Sequence, residues 1–167
     1  MQVLLFADCK GADEFAARVN IEVQYASERT IAAVEKAGGV MTTRFFDQTS
    51  VTAMVNPEEH FRKGLVIPRC KLPPKDAVSY YTNAANRGYL ADISAVIEAR
   101  LQLSQKYGYK LPEMVPGEWL HKMFRKRKDP FQIWFGLEPG WVVNLADRCI
   151  LKPTDPEIRQ YFTGQND

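Results

Sequence analysis

Residues 19–46 read Val19-Asn20-Ile21-Glu22-Val23-Gln24-Tyr25, then Ala26-Ser27, a run ending Glu35-Lys36-Ala37-Gly38-Gly39, and then Val40-Met41-Thr42-Thr43-Arg44-Phe45-Phe46. The first stretch alternates apolar and polar side chains, the period of a half-buried strand. Ser27 suits a helix N-cap, because its hydroxyl accepts from an amide that the first turn leaves unpaired. Ile31, Val34 and Ala37 recur at helical spacing, with Glu28, Arg29, Glu35 and Lys36 in the polar positions. Gly38-Gly39 ends the helix, since glycine enters the left-handed region without a side-chain clash. A second β-rich run follows at once. Together these pieces predict a compact strand-helix-strand unit. It contains no phosphate loop and no nucleophile, so it reads as scaffold.

Working outward, the first block spans residues 1–69. Strands are expected at 3–7, 19–25 and 40–46, with a further short one at 51–55, which gives a small α/β domain. Pro68, Pro73 and Pro74 mark a break, because proline lacks an amide donor and restricts the residue before it. The second block, residues 70–167, reads as mostly helical. A short helix opens at Pro74-Lys75-Asp76. The next, capped by Asp92 or Ser94, carries Val96, Ile97, Leu101 and Leu103 and ends at Gly108. Another begins at Gly117-Glu118, with Trp119, Leu120, Met123 and Phe124 on one face. A last one starts at Asp155-Pro156-Glu157.

A net charge of +2 is low for a nucleic-acid binder, so the placement of charge matters more than its sum. Cys9, Cys70 and Cys149 form no Cys-x-x-Cys pair, which argues against a zinc or redox motif and for reduced thiols in a non-oxidising compartment. No apolar run approaches the roughly 20 residues that span a bilayer. Val3-Leu4-Leu5-Phe6-Ala7 is too short for a signal-peptide core. No Gly-x-Ser-x-Gly occurs, and Lys10-Gly11 lacks the rest of a phosphate loop. No enzyme activity, cofactor, metal site or small-molecule substrate is expected.

The strongest charge feature is Lys122 with Arg125, Lys126, Arg127 and Lys128, beside Phe124, Phe131 and Trp134. Cations neutralise phosphates and flat rings stack on bases, so the cluster suits RNA. It equally suits a solvated helix C-terminus, where cations face the negative end of the dipole. A second basic group, His60, Arg62, Lys63, Arg69 and Lys71, falls in the expected loop after the first block. It either follows an RNA backbone or simply keeps the surface soluble. His60 follows Glu58-Glu59 but reads as an exposed loop histidine. Phe131, Trp134, Phe135 and Trp141 read as core or as a protein interface, since large aromatics carry much of the energy of such contacts.

The run from Val19 through Ala26-Ser27 to Glu35-Lys36-Ala37-Gly38-Gly39 resembles the C-terminal domain of large-subunit ribosomal protein fifteen. Further stretches resemble its mitochondrial branch: Leu72-Pro73-Pro74, Tyr80-Tyr81-Thr82, Asn86-Arg87-Gly88-Tyr89-Leu90-Ala91-Asp92 and Lys106-Tyr107-Gly108-Tyr109. So do Arg127-Lys128-Asp129-Pro130, Phe135-Gly136-Leu137, Pro139-Gly140-Trp141-Val142-Val143-Asn144 and Leu151-Lys152-Pro153-Thr154-Asp155. The resemblance implies an α/β domain of the ribosomal L-fifteen/L-eighteen-e type over 1–69 and a helical, mitochondria-specific extension over 70–167. It implies a structural role in the mitochondrial large subunit, with ribosomal RNA and neighbouring ribosomal proteins as partners. It also favours RNA or subunit contact for Lys122 and Arg125 to Lys128, and leaves both readings of the second basic group open. The family's Gly- and Arg-rich N-terminal extension has no counterpart here. Asp8, Asp13 and Glu14 come too early for an import signal, which this reading places outside the chain. The competing reading is a free-standing protein-interaction module.

Overall fold

In a computed structural model of the chain, residues 3–7, 11–125 and 127–163 are described, with 3–7 and Arg125 described in their backbone alone. Two compact units interleave along the chain. One takes the described residues up to 45 together with 73–127, and the other takes 46–72 together with those from 128 onward.

The first unit is built on three parallel strands in the order β1 (Val3–Ala7), β2 (Asn20–Ala26) and β3 (Val40–Thr43). Between β2 and β3 runs α1 (Glu28–Lys36), where the caps and the period place it. Ser27 sits in extended backbone, and its hydroxyl accepts from the Thr30 amide at 3.3 Å. Gly38 is left-handed at φ 82, and a Cβ on Gly39 would lie 2.6 Å from the Val19 carbonyl oxygen. Ile31, Val34, Val23, Met41 and Leu103 form one buried cluster. Burying a side chain such as Ile31 or Val34 stabilises by roughly 1.5–3 kcal/mol.

The unit is completed by α4 (Val78–Tyr81), α5 (Ile93–Tyr107) and α6 (Trp119–Arg125). The Asp92 carboxylate caps α5, accepting from the amides of Ser94 and Ala95, and Gly108 ends it in the left-handed region. The buried stripe of α5 is Val96, Arg100, Leu103 and Ser104, while Leu101 is exposed. That register differs from the expected one because an arginine occupies the apolar face.

The reason lies opposite, on α1. Glu35 is not in a polar position, since none of its surface is exposed. Its carboxylate accepts from Arg87 twice, at 2.7 and 3.1 Å, from Arg100 at 3.4 Å and from the Tyr109 hydroxyl at 3.1 Å. A buried charge without partners costs several kcal/mol, and the bidentate fork of Arg87 supplies them. Burial pulls the Arg100 guanidinium below its ordinary range, opposed by Glu35 and assisted by Arg87. Burial, then the Glu35 charge, pushes the Tyr109 phenol well above its own.

Arg87 itself is left-handed at φ 59, which costs a non-glycine residue about 1–2 kcal/mol. The Thr43 amide donates to the Arg87 carbonyl at 2.9 Å and the Tyr89 amide to the Thr43 carbonyl at 3.0 Å, so residues 87–89 extend the sheet beyond β3. Gly88 is required there: a Cβ would lie 2.0 Å from the Tyr81 carbonyl oxygen. The Asn86-Arg87-Gly88-Tyr89 motif is thus a sheet-edge turn tied to a buried ion pair.

In the second unit, residues 51–55, expected as a short strand, belong to a helix, α2 (Gln48–Val55). Val51, Thr52 and Val55 favour β structure, but Asp47 caps a helix and accepts from the Ser50 amide at 3.4 Å and its hydroxyl at 2.7 Å. Residues 57–62 are likewise helical, α3 (Pro57–Arg62), where a loop was expected. Asn56 caps this helix by accepting from the Glu59 amide, and Pro57 stands in the first turn, where its missing donor costs nothing. A hairpin of β4 (Val142–Asn144) and β5 (Cys149–Leu151) follows, and α7 (Pro156–Thr163) closes the described chain. The hairpin turn is set by the Asn144 side chain, which accepts from the Ala146 and Asp147 amides.

Candidate nucleic-acid interface

The described members of the basic run differ in placement. Lys122 is exposed on α6, whose other side packs Leu120 and Phe124 into a second buried cluster with Val40, Ala91 and Val96. The Arg125 side chain and Lys126 lie outside the described residues. Arg127 is exposed overall, but its guanidinium turns back to donate to the Ala91 carbonyl at 2.6 Å. Burial holds that guanidinium below its ordinary range, with Asp92 acting the other way. Lys128 belongs to the second unit and is buried. Its ammonium donates to the Ile133 carbonyl at 3.1 Å and lies 5.3 Å from the Phe135 ring centroid.

The second basic group lies within the second unit. Arg62 and Lys63 are exposed, and each meets a glutamate one turn back: Arg62 pairs with Glu58, and Lys63 with Glu59 at 2.5 Å. Arg69 is half-buried, lies 4.1 Å from the Phe131 ring centroid and donates to the Tyr161 carbonyl at 3.3 Å. Lys71 is exposed, and its backbone amide donates to Asp47 at 3.0 Å. His60 is only partly exposed, on α3, with its ring edge-on to Phe61 and to Trp134.

The aromatics Phe131, Trp134 and Trp141 are all half-buried in this unit. Arg69 covers Phe131, Phe61 packs against Trp134 with centroids 5.0 Å apart, and Lys152 lies 4.3 Å from the Trp141 centroid. A cation over a ring is held by the ring's quadrupole. One face of Phe131 and one of Trp141 are therefore occupied by the protein's own charges.

Two features lay outside the sequence reading. The Glu35 cluster was signalled by Arg100, which stands four residues after Val96 and three before Leu103. Arg18 was not singled out, yet its guanidinium lies 4.3 Å from the Trp119 centroid. Nothing in the spacing of Arg18 and Trp119, a hundred residues apart, announces that contact. Among the described residues no group of three or more His, Cys, Asp or Glu is placed to hold a metal, and no helix is long and apolar enough to cross a membrane.

The described residues thus define a class: a mixed helix-and-strand protein whose exposed side chains include cations from several distant segments. Comparison with known proteins shows what the chain is similar to. The chain is 50% identical over 153 residues, 92% of its length, to the zebrafish (Danio rerio) large ribosomal subunit protein uL15m. It is 36% identical over 81 residues, 48% of its length, to the Schizosaccharomyces pombe protein of the same name. The aligned parts make up 51% of the zebrafish protein and 30% of the yeast one, so the chain spans about half or less of the relatives it matches. No family model matches it. The chain is homologous to the mitochondrial uL15 ribosomal proteins.

Proposed function

We propose that this chain is a structural component of the large subunit of the mitochondrial ribosome. In this role it supports translation by contacting ribosomal RNA and neighbouring ribosomal proteins, and catalyses no reaction. The observation that carries the reading is the 50% identity over 92% of the chain with a protein named as a large-subunit ribosomal protein. In this reading the L-fifteen-type α/β domain expected over residues 1–69 and the helical mitochondrial addition expected over 70–167 each contribute to both compact units, and the chain resides in the mitochondrial matrix, bound to the ribosome. Lys122 and Lys71 are the members of the two basic groups best suited to phosphate. Both are exposed, and neither has an ion pair among the described residues. Phe131, Trp134 and Trp141 serve the protein contacts.

Sedimentation tests the reading. A tagged copy of this chain, directed to mitochondria, is expected to co-migrate with the large subunit on a sucrose gradient. Recovery only at the top of the gradient, with the protein folded, overturns it.

A further inference from the structure

In the first unit the segment leading into β2 lies along α6. The Asn20 side-chain amide donates to the Met123 sulfur at 3.1 Å, and the Arg18 guanidinium carbon lies over the Trp119 ring, 4.3 Å from its centroid. Lys122 stands three residues after Trp119 on the same helix, so the ring and Lys122 share a face. Arg18 and Lys122 are exposed and Trp119 is half-buried. Among the described residues neither cation has a carboxylate within ion-pair distance, whereas Arg29, Arg62, Lys63 and Lys106 each have one.

We propose that Arg18 and Lys122, with Trp119 as the plate that orients the guanidinium, form a contact site for the phosphate backbone of RNA. This rests on the ribosomal reading and adds to it a site drawn from two distant segments. The indole holds the guanidinium by charge–quadrupole attraction. Its N–H edge is then presented in a fixed plane, the geometry that grips a phosphate with two parallel hydrogen bonds. Ordering the side chain before binding removes part of the entropy cost of the contact. Lys122 adds a second positive charge for the next phosphate. A half-exposed ring beside the two cations also suits the sugar and base that accompany each phosphate, which an acidic protein segment would not need.

The test uses the whole chain, RNA extracted from the mitochondrial large subunit, and three variants: Arg18→Gln, Arg18→Lys and the double variant R18Q/K122Q. Both positions are exposed, so the fold is expected to persist, with thermal melting as the check. Binding is measured across salt concentrations. The double variant is expected to bind on the order of ten-fold more weakly, with a salt slope shallower by about 1.4–1.8, the value for two lost phosphate contacts. Arg18→Lys is expected to keep the slope and bind more weakly than the parent, since it retains charge but not the planar fork. Unchanged affinity and slope in the double variant overturn the proposal. So does a parent chain that fails to bind this RNA. If the double variant loses subunit incorporation while its RNA affinity is unchanged, the cations face a protein and the proposal fails as well. Co-sedimentation of the parent chain decides the ribosomal reading separately, so the site can fail while that reading stands.

Discussion

Glu35 in the first unit and Glu59 in the second each hold basic side chains, and the two arrangements are opposites. Glu35 has no exposed surface and gathers Arg87, Arg100 and Tyr109 from three segments remote in sequence. Glu59 stands in water and reaches Lys63, one turn further along the chain. A buried carboxylate must be matched or it destabilises the fold by several kcal/mol, so Glu35 dictates where residues 87, 100 and 109 go. The Glu59–Lys63 pair is screened by solvent and salt and fixes nothing beyond its own helix. The same chemistry is architecture in one place and charge neutralisation in the other. Neutralisation has its own consequence: the basic residues at the end of α3 meet a partner with their charge already matched.

The contrast breaks most visibly at Glu35. Glu35→Gln leaves two arginines facing a neutral group, and the expected loss is about 3–5 kcal/mol in a denaturant titration. Adding Arg100→Met should recover part of it. A midpoint that stays at the parent value in E35Q removes the cluster from the account of the first unit.

Asp47 sharpens the comparison as a half-buried acid in the second unit. Burial raises its carboxyl, but the bonds from Ser50 and the Lys71 amide outweigh it, and the group ends below its ordinary range. Asp47→Ala is expected to cost about 1 kcal/mol, the usual value of an N-cap. A depressed folded pKa contributes stability that is full above the unfolded pKa and vanishes as pH falls through the folded one. Melting temperatures of parent and variant should therefore differ at neutral pH and converge in acid. A constant gap across pH would show that the cap acts through shape rather than charge.

The smallest effect is expected at Glu59→Gln, which should leave the melting temperature unchanged at low and high salt. A shift as large as that of Asp47→Ala would erase the distinction between the two kinds of pair.

The β2–α1–β3 unit was legible because period, cap and glycine stop all agree there, and the same holds for the cap and stop of α5. Glu35 was misread because a polar residue on a helix with mixed neighbours carries no mark of burial. Only its distant partners show it, and these are a matter of tertiary contact. Residues 51–55 were misread because β-branched side chains outweighed a capping aspartate. The β4–β5 hairpin was missed because its turn is set by an asparagine side chain, without an Asn-Gly or Asp-Gly signal. For the candidate interface, charge density singled out Lys122, which the structure leaves exposed. The inward turn of Lys128 and the stacking of Arg18 were not, since neither depends on neighbours in sequence.

The interleaving of the two units bears on how the chain reaches its folded state. The described chain passes from one unit to the other after residues 45, 72 and 127. A ribosome making it delivers the strands of the first unit early, but Arg87, Arg100 and Tyr109 only after the opening stretch of the second. Glu35 emerges long before any of them and must wait, hydrated, for its partners. Any single proteolytic nick at residue 69 or 70 would likewise divide both units between the two products, so the molecule has no seam at which it could be cut into independently folding halves there.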